Sequence, residues 1–261
     1  MAYSDLQIID GLLSGHIVCY PLVSEHIRGS SIDVTLGDQY YELDAHERNG
    51  YNPFDEEDVK RYFGPHQRAI SNAEWSAQNK GQTWKNIPDD HPIIVLRPHQ
   101  RILAHTHEFI GVNPPTGTTE MRARSSWGRN GVVVCKDAGW GDPGFINRWT
   151  MEIQNDNPEP VVLPVGERVA QIIIVETGLV GGHYGDGGKY QGGQSLAEIV
   201  RNWTPEQMLP RAYKDERRMP IEVNEADAET VIAAAERFVA EAEARRDAEA
   251  AQLDRQQGLT R

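Results

Sequence analysis

Cysteine is nearly absent from this chain: there are two in 261 residues, Cys19 and Cys135. That excludes a disulfide framework, and no H-x-E with P-C-x-x-C pattern offers a zinc site, so no zinc is expected. Long apolar runs are missing too, since no window approaches the ~20 residues that a membrane span needs. The N-terminal MAYSDLQIIDGLL has no basic stretch ahead of an apolar one, so a soluble cytoplasmic protein is expected, with no membrane among its partners. Acidic residues outnumber basic ones by 39 to 26, for a net charge of −13. A nucleic-acid binder would carry the opposite excess, so positive charge must act locally here.

It is concentrated in residues 122–155, RARSSWGRNGVVVCKDAGWGDPGFINRWTMEIQN, where Arg122, Arg124 and Arg129 surround Ser125 and Ser126. Guanidinium forks and hydroxyls satisfy several oxygens of a polyphosphate at once. The same residues can also form surface ion pairs and a turn cap. Next come Asp142, in a Gly-Asp-Pro-Gly turn, and Glu152, in TMEIQN. Both are candidates for sugar recognition and acid/base work. Asp also nucleates turns before Pro and Gly, and Glu152 alternates with Met151 and Ile153 as a solvent-facing strand residue would.

Ser4 and Gly15 bracket Leu6, Ile8, Ile9, Leu12 and Leu13, which predicts one short helix. HIVCYPLV and SSIDVTLGDQYYEL then alternate as strands, and PIIVLRP, RILAHTHEFIGV, GVVVCK, WTMEIQN, PVVLP and RVAQIIIVET resume that pattern after residue 92. A mainly β body follows, either a sandwich, a jelly roll or a distorted barrel. Between 46 and 92 periodicity fails, and the expectation is a long irregular insertion loop with a helical turn around Glu56–Phe63. The glycine-rich stretch 181–195 is a linker or a flap that orders over a ligand. Leu196–Asn202 reads as helical, as does the segment after Thr204 and Pro205, with Thr204 as N-cap. From Glu225 to about Gln257, Val231, Ala235, Phe238 and Ala242 recur at helical spacing in an acidic helix that either docks on the body or joins oligomer partners.

Several of these segments, in this order, resemble the metal-independent dCTP deaminases of the trimeric dUTPase superfamily. They are SIDVTLGD, RSSWGRNG, AGWGDPGF followed by TMEIQN, PVGERVAQIII and KYQGGQS, and the likeness covers Ala2–Leu43 and Ile93–Ser195. The resemblance implies a distorted jelly roll for a body spanning residues 1–200, while 201–261, outside the likeness, is expected from its own composition as a helical acidic extension. It further implies a homotrimer with active sites between subunits, converting dCTP to dUTP and ammonia, with Mg²⁺ accompanying the triphosphate. By position, Glu152 would be the general base and acid, while Ser125 and Arg129 would place the water and stabilise the intermediate. Arg124 and Ser126 would bind phosphates and Asp142 the deoxyribose 3′-hydroxyl. The segment holding Lys136 and Ala138 would line the base pocket, and Tyr184, Lys189 and Gln194 would close over the nucleotide. Without zinc to acidify water, a carboxylate has to shuttle the protons, a task Glu152 fits.

The sequence departs from that pattern at Cys135-Lys136-Asp137, where the family more often carries histidine and small uncharged residues, and at Gly141, which replaces a branched apolar residue. These changes raise a modified dCTP as a second substrate class. Asp142 keeps open a dUTP diphosphatase, or a bifunctional enzyme forming dUMP and pyrophosphate. A non-catalytic nucleotide sensor working through the insertion and the acidic helix is the reading from a different class.

Overall fold

A computed structural model describes residues 1–43, 50–136, 138–217, 219, 230, 232–244 and 247. Helix α1 (Asp5–Ser14) opens with a full capping box, in which the Ser4 hydroxyl accepts from the Gln7 amide and the Gln7 side chain accepts from the Ser4 amide. It stops at Gly15, whose φ of 75° is left-handed. Of its apolar residues Ile8 is fully buried, while Leu6, Ile9 and Leu13 face outward.

The strands that follow are β1 (Ile17–Tyr20), β2 (Ile27–Arg28), β3 (Ser31–Glu42), β4 (Gln67–Arg68), β5 (Ile70–Ser71), β6 (Pro92–Leu96) and β7 (Arg101–Val112). After them come β8 (Thr118–Ala123), β9 (Val132–Val133), β10 (Trp140–Gly141), β11 (Ile146–Asn155), β12 (Val161–Pro164) and β13 (Arg168–Val175). Interspersed are α2 (Glu56–Phe63), α3 (Asn72–Gln78), the one-turn α4 (Ser125–Arg129) and α5 (Leu196–Asn202).

Strand β3 organises the architecture. Its first half pairs with β13 and its second half with β7, with a register shift between Leu36 and Tyr40. One sheet, in the order β10-β8-β13-β3-β7-β11-β9, therefore curls into a half-barrel, and β12-β6-β5 forms a second, smaller sheet. Ile32, Val34, Ile102, Met121, Met151, Ile153, Leu163 and Ile172 meet in one buried core drawn from both sheets. The body is mainly β, as the alternation indicates. The prediction passes over β8, where Thr118 and Thr119 are both 1% exposed and donate to the Gly141 carbonyl (2.6 and 3.2 Å).

Two regions differ from the sequence reading. Within the span expected as irregular, the helical turn expected around Glu56–Phe63 is α2, and α3, β4 and β5 lie there beyond that expectation. The Asp55 side chain caps α2 by accepting from the Glu57 and Asp58 amides, and Val59 and Phe63 pack with Tyr41, Leu103 and Met208. Asn72, 1% exposed, fixes the next loop by donating to the carbonyls of Trp84 and Ile87. The three unexpected elements are two to seven residues long, too short to show a period. The second difference follows Thr204, where Pro205–Met208 is a 3₁₀ turn without a side-chain cap. Leu209-Pro210 ends it, because proline disfavours helix at the residue before it. Residues 232–244 are helical. Phe238 is 72% exposed there, and the close approach of that helix to the body is at Gly181, where an added Cβ would stand 2.8 Å from that of Ala242. Val231 and the remainder of the expected 225–257 helix, apart from residues 230 and 247, lie outside the described residues.

Candidate active site

A cavity of about 440 Å³ opens on one face of the β7–β11 pair, within the size range of small-molecule sites. Its floor is the strand pair itself, with Arg101 and Leu103 from β7 and Arg148, Thr150 and Glu152 from β11. Period-two alternation positions them: Met151 and Ile153, both 0% exposed, point into the core, so Glu152 between them points to the cavity. Ala138, Trp140 and Asp142 form one wall, Tyr184, Lys189 and Tyr190 of the 181–195 segment a second, and Gln207, Met208 and Pro210 a third.

Burial pushes the Glu152 carboxyl above the ordinary carboxylate range, opposed by its own main-chain amide, the Arg101 charge and the main chain of Lys136. Its Oε2 is buried with no hydrogen-bond partner. A buried acceptor left open in a cavity is a place for a water or a ligand donor. Asp142 lines the same cavity while its carbonyl accepts from the Phe145 amide (2.9 Å), so its turn and cavity roles hold together.

The glycine-rich segment is seated over the cavity as a flap. The Tyr184 amide donates to the Pro143 carbonyl (2.8 Å) and the Tyr190 amide to the Tyr184 hydroxyl (3.1 Å). Asn147, 2% exposed, donates through Nδ2 to the Tyr190 carbonyl (2.6 Å) and to Gln207 Oε1 (2.9 Å). The Arg211 amide donates to the Tyr190 hydroxyl (3.0 Å), and Lys189 pairs with Asp215 at 2.6 Å. Thus the residues beyond 200, expected as an appendage, complete the pocket and hold its flap. Gln194 is turned away, donating to the Gly185 carbonyl (3.1 Å).

The phosphate-type group lies elsewhere. Arg124, Ser125, Ser126 and Arg129 are absent from the cavity wall, and the last three are exposed on α4. That turn is anchored by the Arg124 amide to the Val169 carbonyl (3.0 Å) and by Trp127 Nε1 to the Arg168 carbonyl (3.0 Å). Behind it Asp33, 2% exposed, collects Arg168 (3.0 Å), Arg28 (3.2 Å) and Arg124 (3.6 Å). Arg122 pairs with Glu120 on its own strand.

The departures from the family pattern take on a local meaning. An added Cβ at Gly141 would stand 2.5 Å from the Trp149 ring, so glycine there accommodates a large core side chain. The Lys136 side chain is exposed and outside the cavity wall, and Asp137 lies outside the described residues.

Sequence reasoning misses Arg101, Leu103, Asn147, Arg148, Gln207 and Met208. The β7–β11 register, with Leu103 opposite Glu152 and Arg101 opposite Gln154, puts the first two on the Glu152 face, and no local period in the sequence records that pairing. Gln207 and Met208 are joined to it only by tertiary packing. Among the described residues no three His, Cys, Asp or Glu side chains come together, and no helix is long and apolar enough to cross a membrane.

A family model described as dCTP deaminase-like matches residues 2–177. A "dCTP deaminase, dUMP-forming" of Methanobrevibacter smithii is 34% identical over 172 residues, covering 66% of this chain and 78% of that one. A "dCTP deaminase" of Halorubrum lacusprofundi is 29% identical over 178 residues, covering 67% and 77%. Among solved structures, a 2′-deoxycytidine 5′-triphosphate deaminase from Agrobacterium tumefaciens aligns with a TM-score of 0.47 at 17% identity, over 68% of this chain and 48% of that one. The chain thus spans about half the length of that solved relative.

Proposed function

The chain belongs to the dCTP deaminase-like family, and on that premise we propose that it hydrolyses dCTP to dUTP and ammonia, with Glu152 as the proton shuttle. The observation that carries the reading is Glu152 itself, a buried carboxylate with an unused oxygen in the cavity floor. Water adds to C4 of cytosine as Glu152 accepts one of its protons and passes it to N3. The remaining hydroxyl proton then travels through Glu152 to the amino nitrogen, the C4–N bond breaks, and ammonia leaves behind a C4 carbonyl. A carboxyl raised by burial suits both halves, since it must take a proton and return it near neutral pH.

Asp142 supports the sugar from the same cavity, and Tyr184 and Lys189 cover it. Mg²⁺ enters with the triphosphate as part of the substrate. Arg124, Ser125, Ser126 and Arg129 serve the cavity of a neighbouring subunit in a homotrimer. What supports this is that a chemically complete set is present in the sequence yet divided in one chain between the cavity and the exposed α4. Cytoplasmic deoxynucleotide metabolism is the setting proposed with it.

A second reading carries dUTP on to dUMP and pyrophosphate. It is favoured by the dUMP-forming names of relatives 31–34% identical to this chain and by Asp142 in the cavity, where a carboxylate can place a second water. Ammonia release from dCTP with Mg²⁺, compared with Glu152→Gln, tests the first reading. Release at no more than the variant's rate overturns it, and pyrophosphate in step with ammonia selects the second.

A further inference from the structure

Two buried polar atoms of the cavity wall have no hydrogen-bond partner, Glu152 Oε2 and Arg101 Nε. They come from adjacent strands. The β11–β7 register sets Glu152 opposite Leu103 and Gln154 opposite Arg101, so Arg101 and Glu152 are diagonal neighbours on one face, within reach of long side chains. Ile102, Met151 and Ile153 point the other way into the core. Leu103 lies between them and packs with Met208, keeping this corner apolar, where a charge acts more strongly than it would in water. Arg101 has no place in the residue set that the family resemblance assigns.

We propose that Arg101 is a positioning residue for the reaction, holding the Glu152 carboxylate in its ionised, proton-accepting form inside a desolvated cavity. The inference rests on Glu152 being the base. The remaining ionisable groups of the wall are Asp142, Arg148 on β11, and Tyr184, Lys189 and Tyr190 of the flap. Of the cations in this wall, Arg101 stands diagonally across from Glu152 in the strand register, and its charge counters the effect of burial. The third wall adds only Gln207, Met208 and Pro210, which do not titrate. Without Arg101 only main-chain contacts at 152 and 136 oppose burial, and the carboxyl stays protonated to higher pH.

The test is the titration of Glu152 in full-length protein carrying ¹³C-carboxyl glutamate, with its resonance assigned by its loss in Glu152→Gln. In Arg101→Gln and Arg101→Met the midpoint moves up, lowering the ionisation constant by about threefold or more (half a pH unit). In Arg101→Lys, which keeps a cation, the midpoint stays near that of the unsubstituted protein. The acid limb of kcat moves with it. An unchanged midpoint in whichever of the Gln and Met variants folds overturns the proposal, as does a Lys variant that titrates like the Gln variant. So does a kcat lowered equally at every pH. Because the titration needs no turnover, a protein that releases no ammonia from dCTP fails the deaminase reading separately, and the midpoint still decides whether Arg101 acts on Glu152.

Discussion

A side-chain carbon placed on Gly141 would stand 2.5 Å from the Trp149 ring and 2.4 Å from the Thr119 hydroxyl. Glycine at 141 and tryptophan at 149 are thus one packing solution. Trp149 is 4% exposed, donates through Nε1 to the Ile110 carbonyl (3.0 Å), and meets Phe145 edge-on at 5.3 Å. Restoring a branched residue by Gly141→Val overpacks this corner and costs about 1–3 kcal/mol in urea unfolding. Combined with Trp149→Leu, the valine costs less than it does alone, with a coupling of about 0.5 kcal/mol or more. Strictly additive effects would contradict the pairing.

The proposed subunit arrangement makes a quantitative prediction. Glu152→Gln and Ser125→Ala chains are each inactive, and their unfolding and co-refolding as a 1:1 mixture restores activity. If each site draws Glu152 from one subunit and Ser125 from the next, about a quarter of the sites in random trimers are intact, so activity returns to about a quarter. A mixture as inactive as its parents would place both residues in one subunit's site.

How far these relationships can be read in advance depends on their range. Strand β7 is legible to its ends, because Ile102, Ala104 and Ile110 alternate inward between turn residues. Glu152 and Asp142 are legible as chemistry because they sit in short, ordered motifs. Strand β8 is not, since threonines satisfied by the Gly141 carbonyl stand in for apolar residues. The walls built by Gln207, Met208 and Arg101 depend on which strands and segments become neighbours, and no local period records that. The turn at α2 is legible, but the partners of its two core anchors, Val59 and Phe63, on β3, β7 and the 3₁₀ turn are not.

Burial raises the Glu152 carboxyl, with a consequence for stability. A carboxyl whose pKa is higher folded than unfolded favours the fold at low pH, and that contribution is lost as pH rises through the raised value. Above it, the fold carries a desolvated carboxylate. Glu152→Gln therefore has the higher melting temperature at pH 8, and its advantage shrinks toward pH 4. An advantage that is constant with pH, or a loss at pH 8, contradicts the cause assigned to the shift.

His105 gives the opposite sign. It is 0% exposed, its Nδ1–H donates to the Thr106 carbonyl (2.8 Å), and its ring lies 4.7 Å from that of Trp203. Burial lowers it to about 4. A depressed histidine supports the fold above its unfolded pKa of about 6.5, and that support falls away as pH drops from there toward the folded value. The His105 ring carbons show a neutral side chain down to about pH 4, and stability falls across that window. A ring titrating at its usual value would show that the site admits water.

Most direct is turnover of dCTP with Mg²⁺ in H₂¹⁸O, with the label located by mass spectrometry. Hydrolytic deamination places one ¹⁸O on the uracil ring of the product, and Glu152→Gln places none. If dUTP is carried through, a further ¹⁸O appears on a phosphate of the dUMP and pyrophosphate pair. Unlabelled, unconverted dCTP from the intact protein, or ring labelling that persists in Glu152→Gln, would contradict the assignment of Glu152 as the group that moves the protons.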